Sequence, residues 1–183
     1  MMIRASILGA LLLWSASAVA EPSLRDKVQE QLSYIDTAGP TLDQLRRLGP
    51  GVDVALQSIA QDKTLIFGLR QRAIGALGAL GGPVAQETIE GLLDNPKTPA
   101  DLLRTAGSAY VLGFRATQPA GVLKRMAVLL KHQDWRVRRT AVEALGRWDN
   151  LAAIDLLRKQ AAVEQESRVK EPLEKAVAGR VGK

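Results

Sequence analysis

At 183 residues the chain is long enough for one domain with a sizeable core, and the absence of Cys excludes disulfides, thiol chemistry and thiolate metal sites. A single histidine, His132, removes catalytic triads, His-rich zinc sites and paired His-Glu metal motifs. The formal net charge of +6 is polarised along the chain: residues 21–100 hold 8 basic and 10 acidic groups, whereas 101–183 hold 16 and 9.

The first twenty residues read as a secretory signal peptide. Arg4 gives a short positive start, Ile7 to Trp14 is apolar apart from Gly9, and Ala18-Val-Ala20 is a small-x-small cleavage signal. The apolar run is too short for a comfortable membrane span, so the chain is expected to be exported, to the periplasm or beyond, after cleavage near Ala20. Loss of Arg4 leaves 24 basic against 19 acidic residues, a mature charge of +5.

From there helix signals follow one another through a single domain, 21–183. Ser23 and Asp26 form a capping box ahead of Leu24, Val28, Leu32 and Ile35, predicting an end-capping helix over 23–36 that Gly39-Pro40 closes. Thr41 with Gln44 starts the next helix, carrying Leu42, Leu45 and Leu48. Pro50-Gly51 then breaks the chain before Val52, Val54, Leu56 and Ile59, completing a unit over 41–62. A second unit, 64–94, pairs a broad apolar face (Leu65, Ile66, Leu69, Ala73, Ile74, Leu77, Leu80) with a returning helix of Val84, Thr88, Ile89, Leu92 and Leu93. The turn between them is Gly81-Gly82-Pro83, with Pro in the first helical turn.

The third unit, 98–131, opens on a Thr98/Asp101 capping box with Pro99 at the first helical position. Leu102, Leu103, Ala106, Ala109, Tyr110 and Leu112 belong to its first helix; Val122, Leu123, Met126, Ala127, Leu129 and Leu130 belong to its second. The fourth, 134–163, starts at Asp134 with Val137, Ala141, Val142, Ala144, Leu145 and a core Trp148, and Asn150 caps its second helix. A last helix over 167–178 carries Leu173, Ala176 and Val177, and Pro172 predicts that its regular hydrogen bonding begins late. No segment alternates as a strand does, so the fold class is all-α.

Two of these units are copies of one pattern. Asp134-Trp-Arg-Val-Arg-Arg-Thr-Ala-Val-Glu-Ala-Leu-Gly146 matches Leu69-Arg-Gln-Arg-Ala-Ile-Gly-Ala-Leu-Gly78, and Leu112-Gly113 and Leu48-Gly49 close looser copies. The Leu before each Gly falls at 48, 77, 112 and 145, in steps of 29, 35 and 33, and a period of this size means stacked helical hairpins, none able to bury its apolar face alone. Ala73, Ala76, Ala141 and Ala144 allow close helix approach, and Gly78 and Gly146 suit left-handed caps ending each first helix. The Asp-x-Arg-Val-Arg-Arg-x-Ala-Val-x-Ala-Leu-Gly run resembles the short HEAT-like repeat of the phycobilin-lyase type, over about residues 41 to 178. That resemblance implies a right-handed HEAT/armadillo-like α-solenoid of about four repeats plus end-capping helices. It implies a protein-binding scaffold more often than an enzyme. The His-Glu pairs of the related deoxyhypusine hydroxylase are absent, and phycobilin lyase work is intracellular.

No residue is assigned a catalytic, cofactor-binding or metal-ligating role, and no cofactor is expected. His132 reads as a surface turn residue. Glu87/Glu90 and Glu164/Glu166 read as ordinary polar helix faces, and Gly78-Ala-Leu-Gly-Gly82 lacks the strand and Lys-Ser/Thr of a phosphate loop. The basic set remains: Arg115, Lys124, Arg125, Lys131, Arg136, Arg138, Arg139 and Arg147 lie within 33 residues holding only Asp134 and Glu143. Arg138 and Arg139 are expected to ladder with Asp residues of adjacent repeats. Because second helices usually line the concave side of a solenoid, Lys124, Arg125, Arg158 and Lys159 are expected to share one partner-binding surface, with Trp135 as a candidate anchor. The expected function is an exported non-enzymatic scaffold for a protein or peptide. The alternative is adhesion of the basic half to anionic envelope polymers or lipid headgroups; export argues against nucleic acid.

Overall fold

The computed structural model describes residues 21–34 and 40–178. The expected signal segment lies outside the described residues, as do Ile35 and Gly39. Among the described residues there are helices and no strands: α1 Leu24–Ser33, α2 Leu42–Arg47, α3 Val52–Gln61, α4 Phe67–Leu80, α5 Pro83–Asp94, α6 Ala100–Phe114, α7 Pro119–Leu129, α8 Trp135–Gly146, α9 Leu151–Ala161 and α10 Ser167–Ala178.

Local chemistry sets most helix starts. Ser23 and Thr41 close full capping boxes with Asp26 and Gln44, and Asp134 and Asn150 accept from Arg136 and Ala153 amides. These bonds satisfy donors that have no partner inside the helix. Gly81 and Gly82, at φ 69° and 87°, turn the chain between α4 and α5 where Pro83 starts the return.

Packing follows the repeat. α4, α6, α8 and α10 lie side by side in one layer, and α5, α7 and α9 return behind it. One continuous apolar cluster runs from Val28 and Leu32 through Ile74, Leu77, Tyr110 and Met126 to Val169 and Leu173. Each fully buried Leu or Ile in it contributes on the order of 1.5–3 kcal/mol. The architecture is an α-solenoid of helix hairpins, in which each pair completes its core only against its neighbours.

The two layers are not equally close. α4 meets α6 almost backbone to backbone: a Cβ on Gly78 would stand 2.6 Å from the Ala109 carbonyl oxygen, and one on Gly113 would overlap the Gly78 carbonyl. The second helices are fanned apart, with α7 and α9 touching at few points. In the second-helix layer Lys124 and Lys159 flank a gap between α7 and α9.

Several local expectations need correction. Gly78 and Gly146 carry no left-handed backbone; both lie within helices, and their lack of a side chain permits the α4–α6 and α8–α10 approaches. Leu112 is 60% exposed, unlike Leu77 and Leu145, because Tyr110 takes the core position in α6. Val54, Ile66 and Leu151 also face solvent. Thr98 forms no capping box: Pro99 is the N-cap of α6, which leaves Thr98 one residue outside the helix and buried. α10 starts at Ser167 and runs through Pro172, since Val169 and Leu173 on either side are fully buried and hold the segment helical.

Candidate functional site

Two basic residues of the second helices, Lys124 and Lys159, line the gap between α7 and α9. Lys124 and Lys159 line one groove of about 390 Å³ with Leu123, Ala127, Ala152, Asp155 and Leu156. Lys124 extends from α7 and Lys159 from α9, both exposed. Arg158 is also exposed, and its Nη1 pairs with Asp155 at 3.2 Å, one helical turn back. Charge over an apolar floor is the character of this groove.

Arg125, one residue from Lys124, points elsewhere. A one-residue step rotates a helical side chain by about 100°, which carries the guanidinium to α5. There Nη2 and Nε donate to Asp94 at 2.8 and 3.1 Å, Nη2 also reaches Glu90 at 3.1 Å, and Nη1 meets the Tyr110 hydroxyl at 3.3 Å. The hydrogen bonds it donates to Asp94 hold the guanidinium more firmly protonated than usual. Tyr110 donates to Glu90 at 2.5 Å, and burial, then that bond, pushes its hydroxyl up to about 12. Two carboxylates thus neutralise Arg125 within the link between successive hairpins.

Trp135 is also apart from the groove. It sits at the first position of α8, half-buried against the core, with the Arg168 guanidinium 4.0 Å above its ring. That stacking ties α8 to α10. The five sequence candidates therefore divide: Lys124 and Lys159 share the α7–α9 groove, Arg158 is exposed beside it and pairs with the groove residue Asp155, and Arg125 and Trp135 join helices.

The expected ladder partners differ as well. Arg138 pairs with Glu164 from the α9–α10 connection, and Arg139 with Glu143 on its own helix, so glutamates replace the aspartates expected. Glu164 is not part of an open polar face: its side chain is 3% exposed and receives Arg138 and Gln160. Those bonds, Arg138 first, hold its carboxyl at about 2. Glu166 is held at about 2 by Arg168. Neither carries a proton near neutral pH, so the pair lacks a general acid. His132 accepts the Asp134 amide through Nδ1 at 3.0 Å, a turn contact. Among the described residues no cluster of three or more His, Asp or Glu is placed to hold a metal ion. No helix there is long and apolar enough to cross a membrane.

Sequence reading missed a second groove, on the outer face of α4, α6 and α8. It encloses about 420 Å³, with Arg104, Arg115 and Arg147 around a floor that includes Ala109, Leu112 and Ala144. Its signal was the exposed Leu112, which the repeat pattern had placed in the core.

This is an α-solenoid of stacked helix hairpins whose open features are grooves, and the class is that of interaction scaffolds. Residues 99–178 match the family model of HEAT repeats, so this part of the chain is HEAT-like. No curated protein matches it. Folds built from such repeats serve generally in protein–protein interaction and are typically non-catalytic.

Proposed function

We propose that this chain is an exported, non-enzymatic scaffold that binds a protein or peptide at the α7–α9 face, through Lys124, Arg158 and Lys159. The repeat units are taken as 41–62, 64–94, 98–131 and 134–163, with α1 and α10 closing the ends. The observation that carries the reading is the groove in which Lys124 and Lys159, from successive hairpins, stand over Leu123, Ala127 and Leu156. A partner there covers apolar side chains that the fanned second helices leave open, and its acidic groups meet the two ammonium groups. Arg125 serves this face indirectly, by fixing α7 against α5 and α6. Trp135 acts in the same way through α10.

Export rests on the N-terminal pattern alone. Adhesion to anionic envelope polymers or lipid headgroups is the competing use of the same cations. Exchange of Lys124, Arg158 and Lys159 to Glu, followed by capture from an envelope extract over a salt series, tests the reading. A packed protein partner is lost on reversal yet persists in the parent chain at high salt. Polymer adhesion weakens steeply with ionic strength. Unchanged capture after reversal removes the site assignment.

A further inference from the structure

Arg70 and Arg138 occupy the same place in the two best repeat copies, one residue after Leu69 and Val137 and three before Ala73 and Ala141. Both reach back to a main-chain carbonyl ahead of their own helix: Arg70 Nε donates to Ala60 at 3.1 Å, and Arg138 Nη1 to His132 at 2.8 Å. They differ in what meets the rest of the guanidinium. Arg138 donates to both oxygens of Glu164, supplied by the α9–α10 connection. The corresponding α5–α6 connection, Asn95 to Pro99, has Lys97 and no acid.

Arg70 is 8% exposed, and among the described residues no carboxylate pairs with it; beyond the Ala60 carbonyl it has only the Phe67 ring, 5.5 Å away. Among the described residues no buried side-chain nitrogen is left wholly enclosed without a partner, so the terminal nitrogens of Arg70 keep contact with the cleft that it lines. That cleft, of about 500 Å³, lies between α3, α5 and the α5–α6 connection. Gln57, Gln61, Lys63 and Lys97 surround it, and the one acidic residue lining it, Glu87, is exposed.

We propose that this cleft is a carboxylate-binding site, in which Arg70 takes from a bound peptide the bidentate acid that Arg138 takes from Glu164. A guanidinium fork matches the two oxygens of a carboxylate, and a largely enclosed one gains more from a charged partner than an exposed one does. Lys63 and Lys97 add attraction at the mouth, and the Gln57 and Gln61 amides supply hydrogen bonds to a peptide backbone. The site stands apart from the α7–α9 face and does not depend on it.

Titration of the full chain with acetyl-tetraglutamate amide, and separately with acetyl-tetra-alanine bearing a free C-terminal carboxylate, tests this. The readouts are calorimetry and the arginine side-chain Nε–Hε resonances. The first peptide binding identifies an acidic side chain as the source, the second a chain terminus; either moves the Arg70 resonance. Arg70→Lys, which keeps the charge and loses the fork, weakens binding about ten-fold or more. Lys97→Glu places an acid in the connection, as Glu164 is placed for Arg138. It weakens binding at least as much as Arg70→Lys while raising the melting temperature, and Lys97→Gln raises no melting temperature. Failure of both peptides to shift the Arg70 resonance overturns the proposal. So does unchanged affinity in Arg70→Lys, or a Lys97→Glu chain with neither weaker binding nor higher thermal stability.

Discussion

Arg138 and Glu164 meet across the space between the start of α8 and the α9–α10 connection, joined by two hydrogen bonds of 2.9 Å with the carboxylate almost fully enclosed. Through this pair a residue of one repeat fixes the exit of its own hairpin. Gln160 and the amides of Gln165 and Glu166 complete the carboxylate's coordination, so the chain direction into α10 is set here.

Glu164→Gln leaves Arg138 charged, partly buried and without its carboxylate, and is expected to lower stability by about 3 kcal/mol at neutral pH. The folded carboxyl, at about 2, lies below its unfolded value, so its contribution is present above pH ~4.5 and is lost as pH falls toward 2. Urea unfolding of both chains at several pH values checks this: the gap between them should narrow steadily over that acid range.

Gly78→Ala pushes a methyl group into the Ala109 backbone, which has no flexible end to move aside. Separation of α4 from α6 is expected to cost about 1–3 kcal/mol. Gly91→Ala, in the interior of α5 with nothing near its added Cβ, is expected to stabilise by about 0.5–1 kcal/mol. Thermal melts of the two variants should move in opposite directions.

Tyr110→Phe removes the hydroxyl between Glu90 and Arg125 and is expected to cost about 1–2 kcal/mol. In the parent chain the folded hydroxyl titrates above its unfolded value. Its contribution is therefore whole below pH ~10 and disappears as pH rises through about 12. Difference absorbance between parent and variant should show the Tyr110 phenolate only in that upper range.

Helix pairs and most caps were legible because their determinants are local: Ser23 with Asp26, Thr41 with Gln44, and Asn150 with the start of α9 lie within one turn. What was not legible depends on partners a repeat away. Nothing near Arg125 in sequence announces Asp94 and Glu90, 31 and 35 residues back, so its charge looked as free as that of Lys124. Trp135 gave no local sign of Arg168, nor Glu164 of Arg138. The Leu-Gly spacing also misled at Leu112. There the chain conserves the glycine contact between α4 and α6 while Tyr110 fills the core, so the pattern marks a helix crossing rather than a buried leucine.

The scaffold reading is tested most directly by lysine-reactive labelling of the full chain, alone and with a captured partner, read residue by residue. Lys124 and Lys159, on different hairpins but one groove, are predicted to lose reactivity together, while Lys27, exposed on α1, keeps it. A bound partner that leaves both lysines as reactive as before contradicts the account.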